Sequence, residues 1–212
     1  GLGRKPTNLS FEQASTIGVG SVTAAAGLYR EMQLPWPKAN PVPMEEYLLV
    51  WGASGSVGAF VVNLAALSGL KVIGVCSSHN FEYVKKIGAA HTFDYHDGEV
   101  VNKIVELTGG KLKYAYDTVG VATAGLCVQC LSKTEPSFIA FINGAPADPI
   151  PTTVKKCSVF IGPFWNMPDA RPFMMQCYKA FAPLLEAGVL KTNEVHSLGV
   201  GVDGLLEGLK TS

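Results

Sequence analysis

The sequence predicts an α/β fold in which helices flank a doubly wound parallel sheet. Short apolar segments alternate along the chain with segments of helical length, a pattern typical of right-handed βαβ units. In addition, the first apolar segment runs directly into a glycine-rich turn at residues 52–58, which opens a helical segment. A glycine turn between a strand and a helix is a local feature of nucleotide-binding sheets.

The composition limits the function classes. The chain has 212 residues, 48% of them hydrophobic, which is enough for one compact core. Lys plus Arg and Asp plus Glu each number 17, so the formal charge is zero and the electrostatic signature of nucleic-acid or anionic-membrane binding is missing. The apolar runs are shorter than the roughly 20 residues that span a bilayer, so we expect no membrane insertion.

Five cysteines are scattered through apolar segments, which favours buried free thiols and a reducing compartment, so we expect a cytoplasmic protein. Cys127 and Cys130 form a CxxC pair, but they fall in a predicted helix and have no second ligand pair. We therefore interpret them as core residues.

The chain before the first strand is predicted as a lead-in. Residues 9–29 are rich in small residues and predict one or two helices, with Ser10 as the N-cap. Residues 34–43 contain four prolines, which exclude a helix or a central strand and predict a surface loop. We accordingly divide the chain into a lead-in at residues 1–46 and a dinucleotide-binding domain at residues 47–212.

The predicted domain then follows in order. Strands are expected at residues 47–51, 71–76, 91–95, 114–119 and 137–142, with a sixth apolar run at 158–161. Helices are expected at residues 56–68, 81–87, 99–108, 122–131 and 172–187, and residues 204–212 look like the start of another. Glycines directly follow several of these helices, as is common where helices end.

The glycine turn fits the fingerprint of a Rossmann fold. Gly55 would let the backbone approach a pyrophosphate, and Gly58 would let the helix pack against the strand. The start of the helix would offer free N–H groups and the positive end of its dipole to the anion. The strand before the turn, the helix after it and a second strand about 20 residues on supply the required context.

The end of the second strand indicates which dinucleotide is bound. NAD sites usually place an acid there, whereas this chain has no carboxylate before Glu82. Ser77, Ser78, His79 and Asn80 could instead donate hydrogen bonds to a 2′-phosphate, which favours NADPH over NADH. The loop has no Arg or Lys, and the same residues could simply cap the next helix.

Taken together, these motifs resemble the cofactor domain of the medium-chain dehydrogenase/reductase superfamily. The proline-rich loop and residues 76–81 resemble a zinc-independent fungal branch that includes trans-acting enoyl reductases serving polyketide synthases. The other matching segments are residues 8–16, 52–58, 87–90, 93–95, 116–120, 185–188 and 205–209.

The resemblance implies a cofactor site. Its predicted residues are Ser54, Gly55, Ser56, Val57 and Gly58 at the pyrophosphate, Ser77, Ser78, His79 and Asn80 at the adenosine phosphate, Tyr95 at the adenosine end, and Ile142 and Asn143 near the nicotinamide half. NADPH would pass hydride to the β-carbon of an enone or enoyl thioester, and the catalytic acid is unknown. Val19 stands where a zinc dehydrogenase would have a cysteine ligand, so we predict no metal.

The resemblance also implies a GroES-like catalytic domain and a final strand that this sequence does not contain. We therefore expect a cofactor domain that is truncated relative to the two-domain family and inactive alone, with apolar surface that a homodimer could cover. Quinone or carbonyl reduction, and a non-catalytic NADP-binding sensor, remain open because fold does not determine reaction.

Overall fold

The computed structural model describes residues 4–164, 166–197 and 199. Its strands form one parallel sheet with the spatial order β3-β2-β1-β4-β5-β6. The strands are β1 (Tyr47–Trp51), β2 (Lys71–Cys76), β3 (Ala89–Asp94), β4 (Tyr114–Asp117), β5 (Ser137–Phe141) and β6 (Val154–Ser158). The order runs outward from β1 in both directions, so the predicted doubly wound Rossmann-type fold is confirmed.

The helices cover both faces of the sheet. They are α1 (Phe11–Ser15), α2 (Gly18–Ala25), α3 (Ser56–Leu67), α4 (Phe81–Lys86), α5 (Val100–Leu107), α6 (Val121–Cys130), α7 (Ile161–Phe164) and α8 (Ala170–Glu186), with a π-helical segment at Ala26–Glu31 and a 3₁₀ turn at Ser78–Asn80. Side chains alternate along each strand. In β1, Leu48 and Val50 join the core beneath α3 and α8, while Leu49 and Trp51 join the core beneath α5 and α6.

The lead-in packs onto the same core as the sheet. Ser10 caps α1 through a capping box with Gln13, as predicted for the N-cap. Farther on, Gly27 lies so close to the Tyr116 ring that a Cβ would stand 2.2 Å from it. The Tyr116 hydroxyl donates a 2.8 Å hydrogen bond to the Thr23 carbonyl, which ties the lead-in to β4. The boundary at residue 46 stays a prediction.

The sixth strand differs from the sequence prediction. It spans Val154–Ser158, whereas the apolar run at 158–161 leads out of the strand and into α7. Lys155 and Lys156 interrupt the apolar pattern and are exposed, since β6 is an edge strand with only one neighbour. The helix expected at residues 204–212 lies outside the described residues.

The cysteine interpretation is confirmed, because all five cysteines are buried and free. Cys127 and Cys130 lie inside α6, and burial raises the pKa of the Cys130 thiol to about 12. Within the described ranges, no helix has the length and apolar character needed to cross a membrane. The cytoplasmic location stays a prediction.

Candidate functional site

The glycine turn lies where β1 ends and α3 begins. Gly52 has a φ of +78°, a left-handed conformation that favours glycine, and its carbonyl oxygen accepts a 3.0 Å hydrogen bond from the Gly55 N–H. Gly55 is the N-cap of α3, with an ordinary extended conformation (φ −73°, ψ 170°). Because the strands are parallel, this turn lies on the edge where all six strands have their carboxyl ends.

Gly55 and Gly58 serve different purposes in the turn. A Cβ on Gly58 would stand 2.1 Å from the Gly52 carbonyl oxygen, a distance at which the backbone would have to move. A Cβ on Gly55 would meet only the same oxygen, at 3.4 Å, which is an ordinary contact. Gly58 is therefore required by the fold, whereas the fold itself does not require glycine at position 55.

The first turn of α3 is suited to an anion. It has neither a side-chain N-cap hydrogen bond nor an acidic residue. Its N–H groups therefore point outward at the positive end of the helix dipole. Gly55 and Ser56 are exposed, Val57 is half-buried and Gly58 is buried. The absence of a side chain at Gly55 and the uncapped N-terminus of α3 together fit a dinucleotide pyrophosphate.

The loop after β2 is hydrogen-bonded to the glycine turn and to the end of β3. The Asn80 side-chain amide donates a 3.2 Å hydrogen bond to the Ser54 hydroxyl. The Ser77 hydroxyl donates a 3.0 Å hydrogen bond to the Tyr95 hydroxyl. Ser78 and His79 are exposed within the 3₁₀ turn. The structure thus brings the residues predicted for the pyrophosphate and for the adenosine end into one cluster.

An acidic residue that the sequence argument missed lies against this loop. The backbone N–H of Ser78 donates a 3.2 Å hydrogen bond to Asp94 Oδ2, at the end of β3. Asp94 Oδ1 accepts a 2.9 Å hydrogen bond from the His96 N–H and lies 2.8 Å from the His96 ring Nδ1. These contacts, led by the His96 backbone hydrogen bond, lower the pKa of Asp94 to about 2. The loop itself has no acid, but the fold supplies one from the neighbouring strand.

Ile142 and Asn143 lie on another part of the edge, at the end of β5. The Asn143 side-chain amide donates a 3.4 Å hydrogen bond to the Val119 carbonyl, after β4. The side chains of Val119 and Val121 are each 51% exposed nearby, so this stretch has an apolar surface. The residues predicted for the nicotinamide half therefore do not join the cluster at β1–β3, and β4 lies between the two groups.

Asp117 is buried at the centre of the edge. Its Oδ2 accepts hydrogen bonds from the N–H groups of Gly120 (2.9 Å) and Val119 (3.3 Å), which orders the start of α6. Its Oδ1 has no hydrogen-bond partner among the described residues. Burial raises the pKa of Asp117 despite these hydrogen bonds. The arrangement points to a structural role at the β4–α6 junction.

A cavity of about 670 Å³ opens beside the glycine turn. Its walls come from the α1–α2 junction, the turn, α4 and the segment after α8; they are Ser15, Thr16, Val19, Gly20, Ser54, Ser56, Asn80, Tyr83, Asn193, Glu194 and His196. Asn193 donates hydrogen bonds to the Ser56 hydroxyl at 3.0 Å and to the Ser56 carbonyl at 3.3 Å. Asn193 was not predicted as a site residue, because its partner Ser56 lies 137 residues away in the chain and no local motif contains both residues.

Val19, at the position compared above with a zinc ligand, lines this cavity and is 68% exposed. In the part of the chain that the structure describes, no three His, Cys, Asp or Glu side chains form a group that could hold a metal ion. That zinc takes no part stays a prediction.

Comparison with known proteins identifies relatives of this chain. Residues 56–176 match the family model described as "Zinc-binding dehydrogenase". "Trans-enoyl reductase TOXD" of Cochliobolus carbonum is 37% identical over 139 residues, covering 65% of this chain and 46% of that protein. "Trans-enoyl reductase traG" of Penicillium crustosum is 30% identical over 236 residues, covering 98% of this chain and 63% of that protein. The chain therefore spans about half to two thirds of the length of these relatives.

Solved structures share the fold. CurK enoyl reductase superposes with a TM-score of 0.77 at 16% identity, covering 96% of this chain and 60% of that chain. The Escherichia coli quinone oxidoreductase complexed with NADPH superposes with a TM-score of 0.69 at 21% identity, covering 95% of this chain and 59% of that chain. At these identities, the likeness establishes a common fold.

Proposed function

We propose that this chain, which belongs to the zinc-binding dehydrogenase family, is the NADPH-binding part of a zinc-independent reductase that acts on enones or enoyl thioesters. Its predicted membership of the medium-chain dehydrogenase/reductase superfamily is confirmed by the family match and by its relatives. The observation that supports the cofactor proposal is the glycine turn. The fold does not require glycine at position 55, and no side chain caps the N-terminus of α3.

The cofactor would be held at three places along the carboxyl edge. The α3 N-terminus and residues 54–58 would bind the pyrophosphate through backbone N–H groups. Ser77, the 3₁₀ turn Ser78–Asn80 and Tyr95 would hold the adenosine end. Ile142 and Asn143 would line the nicotinamide half beside Val119. These three groups follow the sheet from β3 across to β5, the direction in which an extended dinucleotide lies on such an edge.

Family and relatives support a nicotinamide cofactor, and the loop after β2 favours its phosphorylated form. Ser77 and Ser78 offer small polar groups where an NAD enzyme usually has a carboxylate. The nearby Asp94 carboxylate accepts hydrogen bonds from Ser78 and His96, so its charge is partly compensated. We therefore propose NADPH, rather than NADH, as the cofactor.

Bound NADPH would supply a hydride to the β-carbon of the substrate. The chain's own part is to bind and orient the dinucleotide, so that one face of the nicotinamide is presented to the acceptor. The apolar side chains of Val119 and Val121 would exclude water from that region. The buried hydroxyl of Tyr116 donates to the Thr23 carbonyl and burial raises its pKa, so we do not assign it as the proton donor.

The relatives favour an enoyl substrate over a quinone. Both sequence relatives described above are named trans-enoyl reductases, whereas the quinone oxidoreductase is similar to this chain in fold. The resemblance to trans-acting enoyl reductases suggests that the substrate is an enoyl thioester carried by a polyketide synthase.

The test has two steps. First, the purified protein is titrated with NADPH and with NADH, followed by fluorescence or calorimetry, and we expect tighter binding of NADPH. Equal affinity, or a preference for NADH, would contradict the cofactor proposal. Second, the complete reductase is assayed for NADPH oxidation with a crotonyl thioester and with a quinone. Faster turnover of the quinone would favour the alternative reaction.

A further inference from the structure

The site proposed for the 2′-phosphate has an unusual charge environment. A 2′-phosphate is normally paired with an arginine or a lysine, yet the chain has no basic residue of either type between Lys71 and Lys85. Lys71, the first residue of β2, pairs with Glu45 at the opposite end of the strand from the loop. Lys85 pairs with Glu82 on α4. A carboxylate, Asp94, instead contacts the loop directly.

His96 is the group that can change the charge of this environment. Its ring Nδ1 lies 2.8 Å from Asp94 Oδ1, so a protonated His96 would form an ion pair with Asp94 and cancel its charge. Histidine side chains in general exchange this proton between about pH 5 and about pH 8. The His96 side chain is 67% exposed, so a ligand can reach it.

Two separate connections place His96 beside the loop. In the first, Asp94 bridges the His96 N–H and the Ser78 N–H with its two carboxylate oxygens. In the second, the His96 ring lies 4.1 Å from the Tyr95 ring, and the Tyr95 hydroxyl accepts the hydrogen bond from Ser77. Any group bound between Ser77 and Ser78 would therefore lie close to the Asp94–His96 pair.

We propose that the Asp94–His96 pair sets the selectivity for NADPH over NADH and makes that selectivity depend on pH. The proposal rests on the proposed function, since it assumes that the 2′-phosphate binds at Ser77 and Ser78. With His96 protonated, the pair is neutral and the imidazolium attracts the phosphate. With His96 neutral, the fixed charge of Asp94 remains and repels the phosphate.

Two other titratable groups near the pair, Asp97 and Cys76, do not supply the same change. Asp97 follows in the same turn and pairs with Lys103 of α5, and this contact lowers the pKa of Asp97. Cys76, at the end of β2, is buried, and burial together with Asp94 raises the pKa of its thiol to about 11. Both therefore keep one charge state near neutral pH. His79 belongs to the proposed phosphate site itself and is left unchanged in every comparison. The matched control is His91, a half-buried histidine of β3 that lies beside the Tyr47 ring at the start of β1, away from the loop.

The experiment measures dissociation constants for NADPH and NADH between about pH 5.5 and about pH 8.5, a range that brackets histidine titration. The readout is the ratio of the two constants, which changes in overall folding would not alter. For the unmodified protein, we expect the NADPH preference to fall about three- to ten-fold as pH rises, the effect of one partly exposed charge. His96→Gln should lower the preference at acidic pH and reduce its fall with pH, and His91→Gln should leave the profile unchanged.

The cofactor phosphate also titrates, with a pKa near 6. Because it does so equally with the unmodified protein and with His96→Gln, the difference between these two profiles measures the contribution of His96. Asp94→Asn should raise the NADPH preference at alkaline pH, because it removes the fixed negative charge. Superimposed profiles for the unmodified protein and His96→Gln would overturn the inference, as would an equal change of the profile in His91→Gln. Failure to bind either dinucleotide would overturn both the inference and the proposed function.

Discussion

Gly55→Val should separate cofactor binding from folding. The conformation of Gly55 is open to any residue, and its Cβ would meet only the Gly52 carbonyl oxygen at an ordinary 3.4 Å. We therefore expect the free energy of unfolding to change by about 1 kcal/mol or less, the usual range for an unfavourable N-cap residue. The valine methyl groups would fill the space above the turn, where the proposed pyrophosphate would approach the α3 N–H groups.

The expected loss of affinity follows from the hydrogen bonds that are blocked. A hydrogen bond to a charged group contributes about 1.5–3 kcal/mol, so losing two of them weakens NADPH binding at least about 100-fold. Binding is measured by fluorescence or calorimetric titration, and stability by urea denaturation.

Gly58→Ala is the matched control for Gly55→Val. Its Cβ would stand 2.1 Å from the Gly52 carbonyl oxygen, so the α3 N-terminus must shift. We expect this change to cost about 1–3 kcal/mol of stability, the range for overpacking. Normal NADPH affinity in Gly55→Val with unchanged stability would refute the placement of the pyrophosphate. A fully stable Gly58→Ala protein would refute the structural role assigned to that glycine.

Three further predictions concern the same edge of the sheet. Ser77→Asp should reduce the preference for NADPH over NADH about ten-fold or more through like-charge repulsion, and an unchanged ratio in paired titrations would contradict the proposed phosphate site. Asn193→Ala removes two hydrogen bonds to Ser56 and should weaken NADPH binding about five-fold. Full affinity in this variant would contradict a positioning role for Asn193. Asp117→Asn tests pH dependence: since burial raises the pKa of Asp117 above its unfolded value, its contribution to stability is present below about pH 3.9 and is lost as pH rises through the raised value. The asparagine variant should therefore lose less stability than the unmodified protein between about pH 4 and about pH 7, and equal slopes in urea denaturation would contradict this.

The elements of the sheet core could be predicted because the relevant information is local. The predicted bounds of β1 and β2 match the structure, since both strands are continuous apolar runs buried on both faces. The start of α3 is also local, because the glycine turn and the helix follow one another in the chain. Strand β6 was not predicted, because an edge strand has less need of apolar residues and two exposed lysines interrupt its apolar pattern.

The sequence by itself determined the fold class, the glycine turn and the polar loop after β2, because each depends on residues that are neighbours in the chain. The tertiary structure alone decided what surrounds the proposed cofactor site. It brought Asp94 of β3 under the loop, although the sequence argument had found no acid there, because parallel strands align their carboxyl ends. It also carried Asn193 back to Ser56 after α8. Such charges and contacts join strands and helices that are distant in sequence. Periodicity and local motifs therefore cannot predict them.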